Sequence, residues 1–278
     1  MRFLRPELRG LLALVLALAP VPTGAGAGAE GRIASDCIAL AQARPNVVPV
    51  VFGAPLAKDE VRIRFLEHAM FAIEGGGLLA VTDYTGDIGN PAVVPDIVTM
   101  NNAHSTHYTD FPDPRIPLVL RGWGAAGQPA AYDLDLGAMR VRNVTTDLRG
   151  PFGEGARKDG NSIFIFEVAG LCIGHLSHLH QIPTPAQYAA IGRLDVVMVP
   201  VDGAYAMDVA AMADVVRHLH ARVVLPMHWF TPEGLAQFLV QLQGDYRIVV
   251  PGSPAIEVSR AALPEKPVVV VLAPALIP

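Results

Sequence analysis

Cysteine is scarce and charge is thin. Two cysteines in 278 residues build neither a disulfide framework nor a zinc knuckle. Charged residues make up 17% of the chain, and that rules out an acidic disordered protein. The net charge is only −5. No basic stripe or alternation of aromatic and basic residues offers a surface to nucleic acid, which is excluded as a partner. Short-period repeats are missing, and no linker interrupts residues 45 to 278, so one domain is the economical reading. What is plentiful is apolar side chain: 51% of residues are hydrophobic, enough for one large core.

The N-terminus reads as an export signal. Arg2, Arg5 and Arg9 precede "LLALVLALAP", a ten-residue apolar run too short to cross a bilayer. Small residues in "GAGAGAE" follow, with cleavage expected after Ala27 or Ala29. The expected organisation is a signal peptide over 1–29, a lead-in over 30–59 with one short helix around "CIALAQA", and a single domain over 60–278. The protein is then periplasmic or secreted, with no stable membrane span after cleavage. Cys37 and Cys172 are left. An oxidising compartment permits a disulfide between them; a buried free thiol at Cys172, in the strand-like run "VAGLCIGHL", is the alternative.

From "VRIRFLEHAMFAIEGGGLLAVTD" onward the pattern is β-hairpin, with alternating or apolar runs broken by turns. "AVVPDIVTM", "IPLVLRGWG", "YDLDLGAMRVRNVTT", "NSIFIFEVAG" and "LCIGHLSH" continue it. The period then changes. Strands "LDVVMVPVDG" and "ARVVLPMHW" alternate with helices "MDVAAMADVVRHLH" and "TPEGLAQFLVQLQ", the last opened by Thr-Pro. "YRIVVPG" and "KPVVVVLAP" close the chain. Hairpins followed by alternating units predict two sheets with helices packed outside, a layered α/β fold.

The chain has nine histidines. His104, His107, His178 and His228 each follow an apolar strand run. Side chains at strand ends in a layered α/β fold converge on one edge, where sites are built, and neutral imidazole is the commonest protein ligand for transition metals. That pattern predicts a shared metal site.

The order of these motifs resembles the metallo-β-lactamase-fold hydrolases, in particular the branch similar to ascorbate-6-phosphate lactonase. The resemblance spans roughly residues 60 to 250. "IRFLEHAMFAIEGGGLLAVTD" is similar to the opening that runs to a strand-end Asp, here Asp83. "DIVTMNNAHSTHY" lies where the family carries His-x-His-x-Asp-His, "HLSHLHQ" where the branch has His-Leu-Gly-Asp, and "VVLPMHW" carries the last His. The resemblance implies a four-layered αββα sandwich of the metallo-β-lactamase type.

Departures from the family pattern shape the expected chemistry. Asn102 and Thr106 replace the loop's first His and its Asp, and His178 stands at the bridging carboxylate. Near "NVTTDLRG" no third His occurs; Thr146 and Asp147 are nearest. An imidazole has one free lone pair and cannot bridge two metals. The implied centre is therefore one ion, held by His107, His178 and His228, with an open position for water. His104 is a fourth ligand or lines the pocket, and His180 is a further candidate ligand. Zinc is the expected metal, with iron, manganese or copper as alternatives.

Such a site lowers the pKa of bound water to about 7. The implied activity is exported, metal-dependent hydrolysis of a small-molecule ester, lactone, amide or phosphoester. The alternatives are a catalytically impaired metal- or ligand-binding module of the same fold, and redox chemistry at bound iron or copper. Asp83, Thr106 and Asp202 are the candidate catalytic residues, with Asp147 as a further substitute for the missing carboxylate. Asp83 is expected to orient a ligating His, and Asp202 to contact substrate or to shape the turn before Gly203. His68 and His175 read as packed residues, and His218 and His220 as surface residues. Trp123, Trp229 and Phe230 form either pocket wall or core.

Overall fold

Apolar residues alternate along the strands, and a period of two sorts them onto opposite sheet faces. The computed structural model describes Ser35, Cys37 and residues 48–49, 55–102, 104–125, 128–149 and 157–278. All of these fall within one contact unit, Ile33–Pro278. The signal segment and most of the helix expected around "CIALAQA" lie outside the described residues; Cys37 itself sits in a turn.

In chain order the elements are β1 (Val48–Pro49), β2 (Glu60–Glu67), β3 (Met70–Gly75), β4 (Leu78–Val81), β5 (Ile97–Met100) and β6 (Leu118–Arg121). Next come β7 (Asp133–Asp135), β8 (Met139–Leu148), β9 (Arg157–Val168), β10 (Leu171–His175), α1 (Pro185–Ile191) and β11 (Val196–Pro200). The chain ends with α2 (Val209–Leu219), β12 (Val223–Met227), α3 (Pro232–Leu242), β13 (Arg247–Val249), β14 (Ala255–Ser259) and β15 (Val268–Val270). They form a seven-stranded sheet, β1-β14-β2-β3-β4-β5-β6, and an eight-stranded sheet, β13-β15-β12-β11-β10-β9-β8-β7.

The central core lies between the sheets. Phe71 and Ile73 of β3 meet Phe164 and Phe166 of β9 and Met198 of β11 there. The intervening residues face outward. Ile163, Ile165, Val197 and Val199 bury the outer face of the second sheet against Ile191 of α1, Met212 and Val216 of α2, and Phe238 of α3. Met70, Ala72 and Val98 on the outer face of the first sheet are covered by Tyr84, Ile88, Ile116 and Ile277. The two-sheet sandwich matches the expectation. Its outer layer on the first sheet, among the described residues, is loop rather than helix. The Gly- and Pro-rich run "YTGDIGNPAVVPD" between β4 and β5 explains why, since it cannot sustain one.

Three elements went unread in the sequence. β1 places part of the lead-in on β14. β14, from the Pro-flanked "AIEVS", completes the first sheet beside β2. α1 spans only seven residues, but Thr184 and Gln187 close a reciprocal capping box with Pro185 at its start, a legible signal. Cys37 and Cys172 form a disulfide, with Cα atoms 5.7 Å apart.

Strands β4, β5 and β6 run parallel, as do β10, β11, β12, β15 and β13. Their carboxyl ends deliver Asp83, the 101–107 loop, Ser177–His178, Asp202 and His228 to the loops of the sandwich. His68 joins them from the β2–β3 turn.

Candidate metal centre

His68, His107 and His228 each bring one ring nitrogen to a common point, and the three atoms lie within 4.8 Å of one another. Each histidine arrives by a different route. His107 closes the loop after β5, with its amide bonded to the His104 carbonyl at 2.8 Å. His228 follows β12, and its amide bonds to the His68 carbonyl at 2.7 Å, tying two of the imidazoles through backbone. His68, Asp83, Ser177 and His228 all have positive φ, between 44° and 56°. Left-handed backbone at non-glycine residues costs roughly 1–2 kcal/mol each, and four of the seven such residues described lie around the centre.

Hydrogen bonds fix which nitrogen His107 and His228 present. His107 Nδ1 donates to Asp83 Oδ2 at 2.6 Å, and His228 Nδ1 donates to Asp202 Oδ1 at 3.2 Å. A neutral imidazole whose Nδ1 carries the proton keeps a lone pair on Nε2. Asp83 is fully buried and is also held by the Asn101 amide at 3.1 Å and the Ser177 hydroxyl at 3.1 Å. Burial alone would raise its pKa, but the neighbouring His107 and His175 and these bonds outweigh it and hold the carboxyl below its usual range. Asp202 is likewise pulled down, against the effect of burial, by His228 and by backbone amides. It accepts from the amides of Ala204 and Ala206, so it shapes the turn and orients His228 at once.

The donor set fits a metal ion. The Nε2 atoms of His68 and His107 are buried without a hydrogen-bond partner, an arrangement that costs about 1–3 kcal/mol per group unless something is bound. Burial, and then the neighbouring His228 and His107, hold the His68 pKa down at about 3. It therefore offers a lone pair at neutral pH.

The other expected ligands are placed differently. The His178 ring lies 5.0 Å from that of His107 and 4.7 Å from that of His228; it borders the centre, but the nitrogens that converge are those of His68, His107 and His228. Its Nδ1 is bonded to His180 Nε2. His180 Nδ1 accepts from the Arg149 amide at 2.8 Å, leaving His180 no free nitrogen for a metal. His104 is exposed, and its Nδ1 is 3.0 Å from the exposed Thr106 hydroxyl; Thr106 is thus engaged with His104. Asp147 accepts from the Asp159 amide at 2.9 Å within the β8–β9 hairpin.

The remaining residues sort clearly. His175 is buried, bonded to Asn101 Nδ2 at 2.9 Å and to the Ala69 carbonyl at 2.7 Å. His218 and His220 are exposed at the end of α2. Trp123 packs on the outer loop layer and Trp229 on the central core. Phe230 is exposed beside the centre, its ring 5.5 Å from His68 and 5.2 Å from His228. His68 is the member of the three-histidine set that the sequence did not offer as a candidate ligand. Its signal was its place directly after β2, in a short turn of the opening motif.

Two sheets with histidines gathered beyond their parallel strand ends define a metallo-β-lactamase-type sandwich. The beta-lactamase superfamily domain model matches residues 62–228, from within β2 to the last histidine of the centre. The chain belongs to that superfamily. A UPF0173 metal-dependent hydrolase of Thermococcus kodakarensis is 27% identical over 205 residues, covering 64% of this chain and 88% of the relative. Among solved structures, a candidate Zn-dependent hydrolase of the metallo-β-lactamase superfamily from Thermotoga maritima is 27% identical, with a TM-score of 0.53, and covers 76% of this chain and 98% of its own. A candidate metal-dependent hydrolase from Parabacteroides distasonis, at 16% identity and TM-score 0.53, covers 66% and 88% and shares the fold.

Proposed function

We propose that the protein is an exported metal-dependent hydrolase of a small-molecule ester, lactone, amide or phosphoester, working at a single-metal centre held by His68, His107 and His228. One observation carries the reading: His68 and His107 each bury an Nε2 atom without a hydrogen-bond partner, and one ring nitrogen of each lies within 4.8 Å of the other and of His228. The name of the Thermococcus relative, a metal-dependent hydrolase, agrees with it. The likeness to ascorbate-6-phosphate lactonase favours lactones among the substrates, and the apparent export signal implies work outside the cytoplasm. Zinc is the metal of choice, since three imidazoles and an open position suit it.

Within this reading a bound divalent ion supplies Lewis-acid polarisation of the scissile group and activation of water. The chain's own residues do the rest. Asp83 and Asp202 hold the His107 and His228 rings by their Nδ1 atoms. Phe230 stands exposed beside the centre with Tyr205 in edge contact at 5.5 Å, and the pair offers apolar surface to a substrate.

A binding module without turnover is the second reading. It is favoured by Thr106, which leaves Asp83 and Asp202 as the carboxylates seen at the centre, both already committed to imidazoles. The test is hydrolysis of a panel of 4-nitrophenyl esters and simple lactones by the zinc-loaded protein, beside a His107→Ala, His228→Ala double variant. Turnover lost in the variant supports the hydrolase. Stoichiometric zinc with no turnover across the panel supports the binding module.

A further inference from the structure

An imidazole backed by an acceptor presents a lone pair; one backed by a donor presents a proton. His107 and His228 are backed by carboxylates. His178 is backed differently. The Arg149 backbone amide can only donate, and it points at His180 Nδ1 at 2.8 Å. His180 Nδ1 must therefore carry a lone pair, which puts the His180 proton on Nε2. That proton is directed at His178 Nδ1, which must accept it. His178 then carries its own proton on Nε2, the one ring nitrogen left free. The assignment follows from the direction of the Arg149 bond and the pairing of the two rings, and needs no titration.

We propose that His178 is a catalytic hydrogen-bond donor beside the three-histidine centre, rather than a metal ligand, with its Nε2–H directed at the substrate's carbonyl oxygen. The proposal rests on the hydrolase reading for its substrate. Its ring packs 5.0 Å from His107 and 4.7 Å from His228 and stacks on His104 at 6.1 Å, so it is held at the edge of the centre. In hydrolysis of an ester or lactone, water oxygen adds to the carbonyl carbon and the C=O π pair moves onto oxygen. The Nε2–H bond stabilises that oxyanion without giving up its proton. The C=O bond then re-forms, the C–O bond to the leaving group breaks, and the proton lost by water ends on the leaving oxygen. A neutral imidazole is a known electrophile of this kind, and a fixed donor avoids reorganisation as charge develops. His180 and the Arg149 amide act as positioning groups, through the tautomer they impose.

Two readouts test this, one of them independent of turnover. Long-range ¹⁵N–¹H spectra of the zinc-loaded wild-type protein report the tautomer of His178, assigned by its loss in His178→Gln. The expected result is protonated Nε2 and unprotonated Nδ1. A proton on Nδ1, or a zinc-shifted Nε2 signal, overturns the proposal. In kinetics with 4-nitrophenyl acetate, His178→Ala is expected to lower kcat by about 10²–10³ with KM little changed and zinc content unchanged. His178→Gln, which keeps an N–H donor, is expected to recover part of kcat. Loss of zinc in His178→Ala would make His178 a ligand and overturn the proposal. A wild-type protein with the Nε2–H tautomer but no ester turnover contradicts the hydrolase reading and overturns the catalytic role while leaving the tautomer assignment standing.

Discussion

Asp83 Oδ2 and His107 Nδ1 lie 2.6 Å apart with both side chains fully buried. Asp202 repeats the arrangement on His228, with side chains 0% and 2% exposed. The two carboxylates sit behind the two imidazoles, fixing their tautomer and raising their basicity. Asp83→Asn and Asp202→Asn are each expected to weaken zinc binding by about 10- to 100-fold, read by competition with a chromophoric chelator. Unchanged affinity would mean that the carboxylates act only in folding.

Acid should unfold the metal-free protein early. Burial and neighbouring imidazoles lower the pKa of His68 to about 3 and that of His178 still further, and burial with Arg149 lowers that of His180 to about 4. The unfolded chain, with histidines near 6.5, takes up these protons first, so stability falls as pH drops. The stability is complete above about pH 6.5 and declines from there toward the folded values of about 4 and 3. Thermal melts of chelator-treated protein between pH 8 and 4 check this. A midpoint that rises on acidification would contradict it.

The disulfide ties Cys37 to β10 across a separation of 135 residues. Closing so long a loop stabilises by roughly 2–5 kcal/mol. Cys37→Ser is expected to lower stability by that order in urea unfolding, with zinc stoichiometry retained because neither cysteine belongs to the three-histidine set.

Phe230 and Tyr205 are 59% and 67% exposed, and Phe230 lies against two of the centre's rings. Removing an apolar contact made equally to substrate and transition state raises KM and leaves kcat alone. Phe230→Ala is expected to raise KM for 4-nitrophenyl hexanoate more than for the acetate. Equal effects on both esters would assign the ring no part in recognition.

Much of this was legible because it is written in side-chain type and period. The alternation in "NSIFIFEV" and the change to helical period after "LDVVMVPVDG" predict the two sheets and the covered face. Strand-end position points to His104, His107, His178 and His228, of which His107 and His228 belong to the set of three. Of the two roles open for Asp202, substrate contact and turn chemistry, the structure shows the turn, and its bond to His228 is one that the sequence did not suggest. His68 escaped because a lone histidine in a β-turn looks like packing; only the backbone link from the His228 amide brings it to the centre. His178 looked like a ligand because its neighbours in sequence suggested one. Its tautomer is set by a backbone amide at Arg149, and a backbone partner has no residue-type signature. β14 was hidden for a similar reason, since five residues directly after Pro254 pair with a strand nearly two hundred positions earlier.

The most direct measurement is metal per chain by mass spectrometry, on protein exported to a periplasm and purified without chelator or His tag, for the wild type, His68→Ala and His178→Ala. The account predicts about one zinc per chain in the wild type and in His178→Ala, and clear loss in His68→Ala. Two ions per chain, or zinc retained without His68 but lost without His178, would contradict the three-histidine centre.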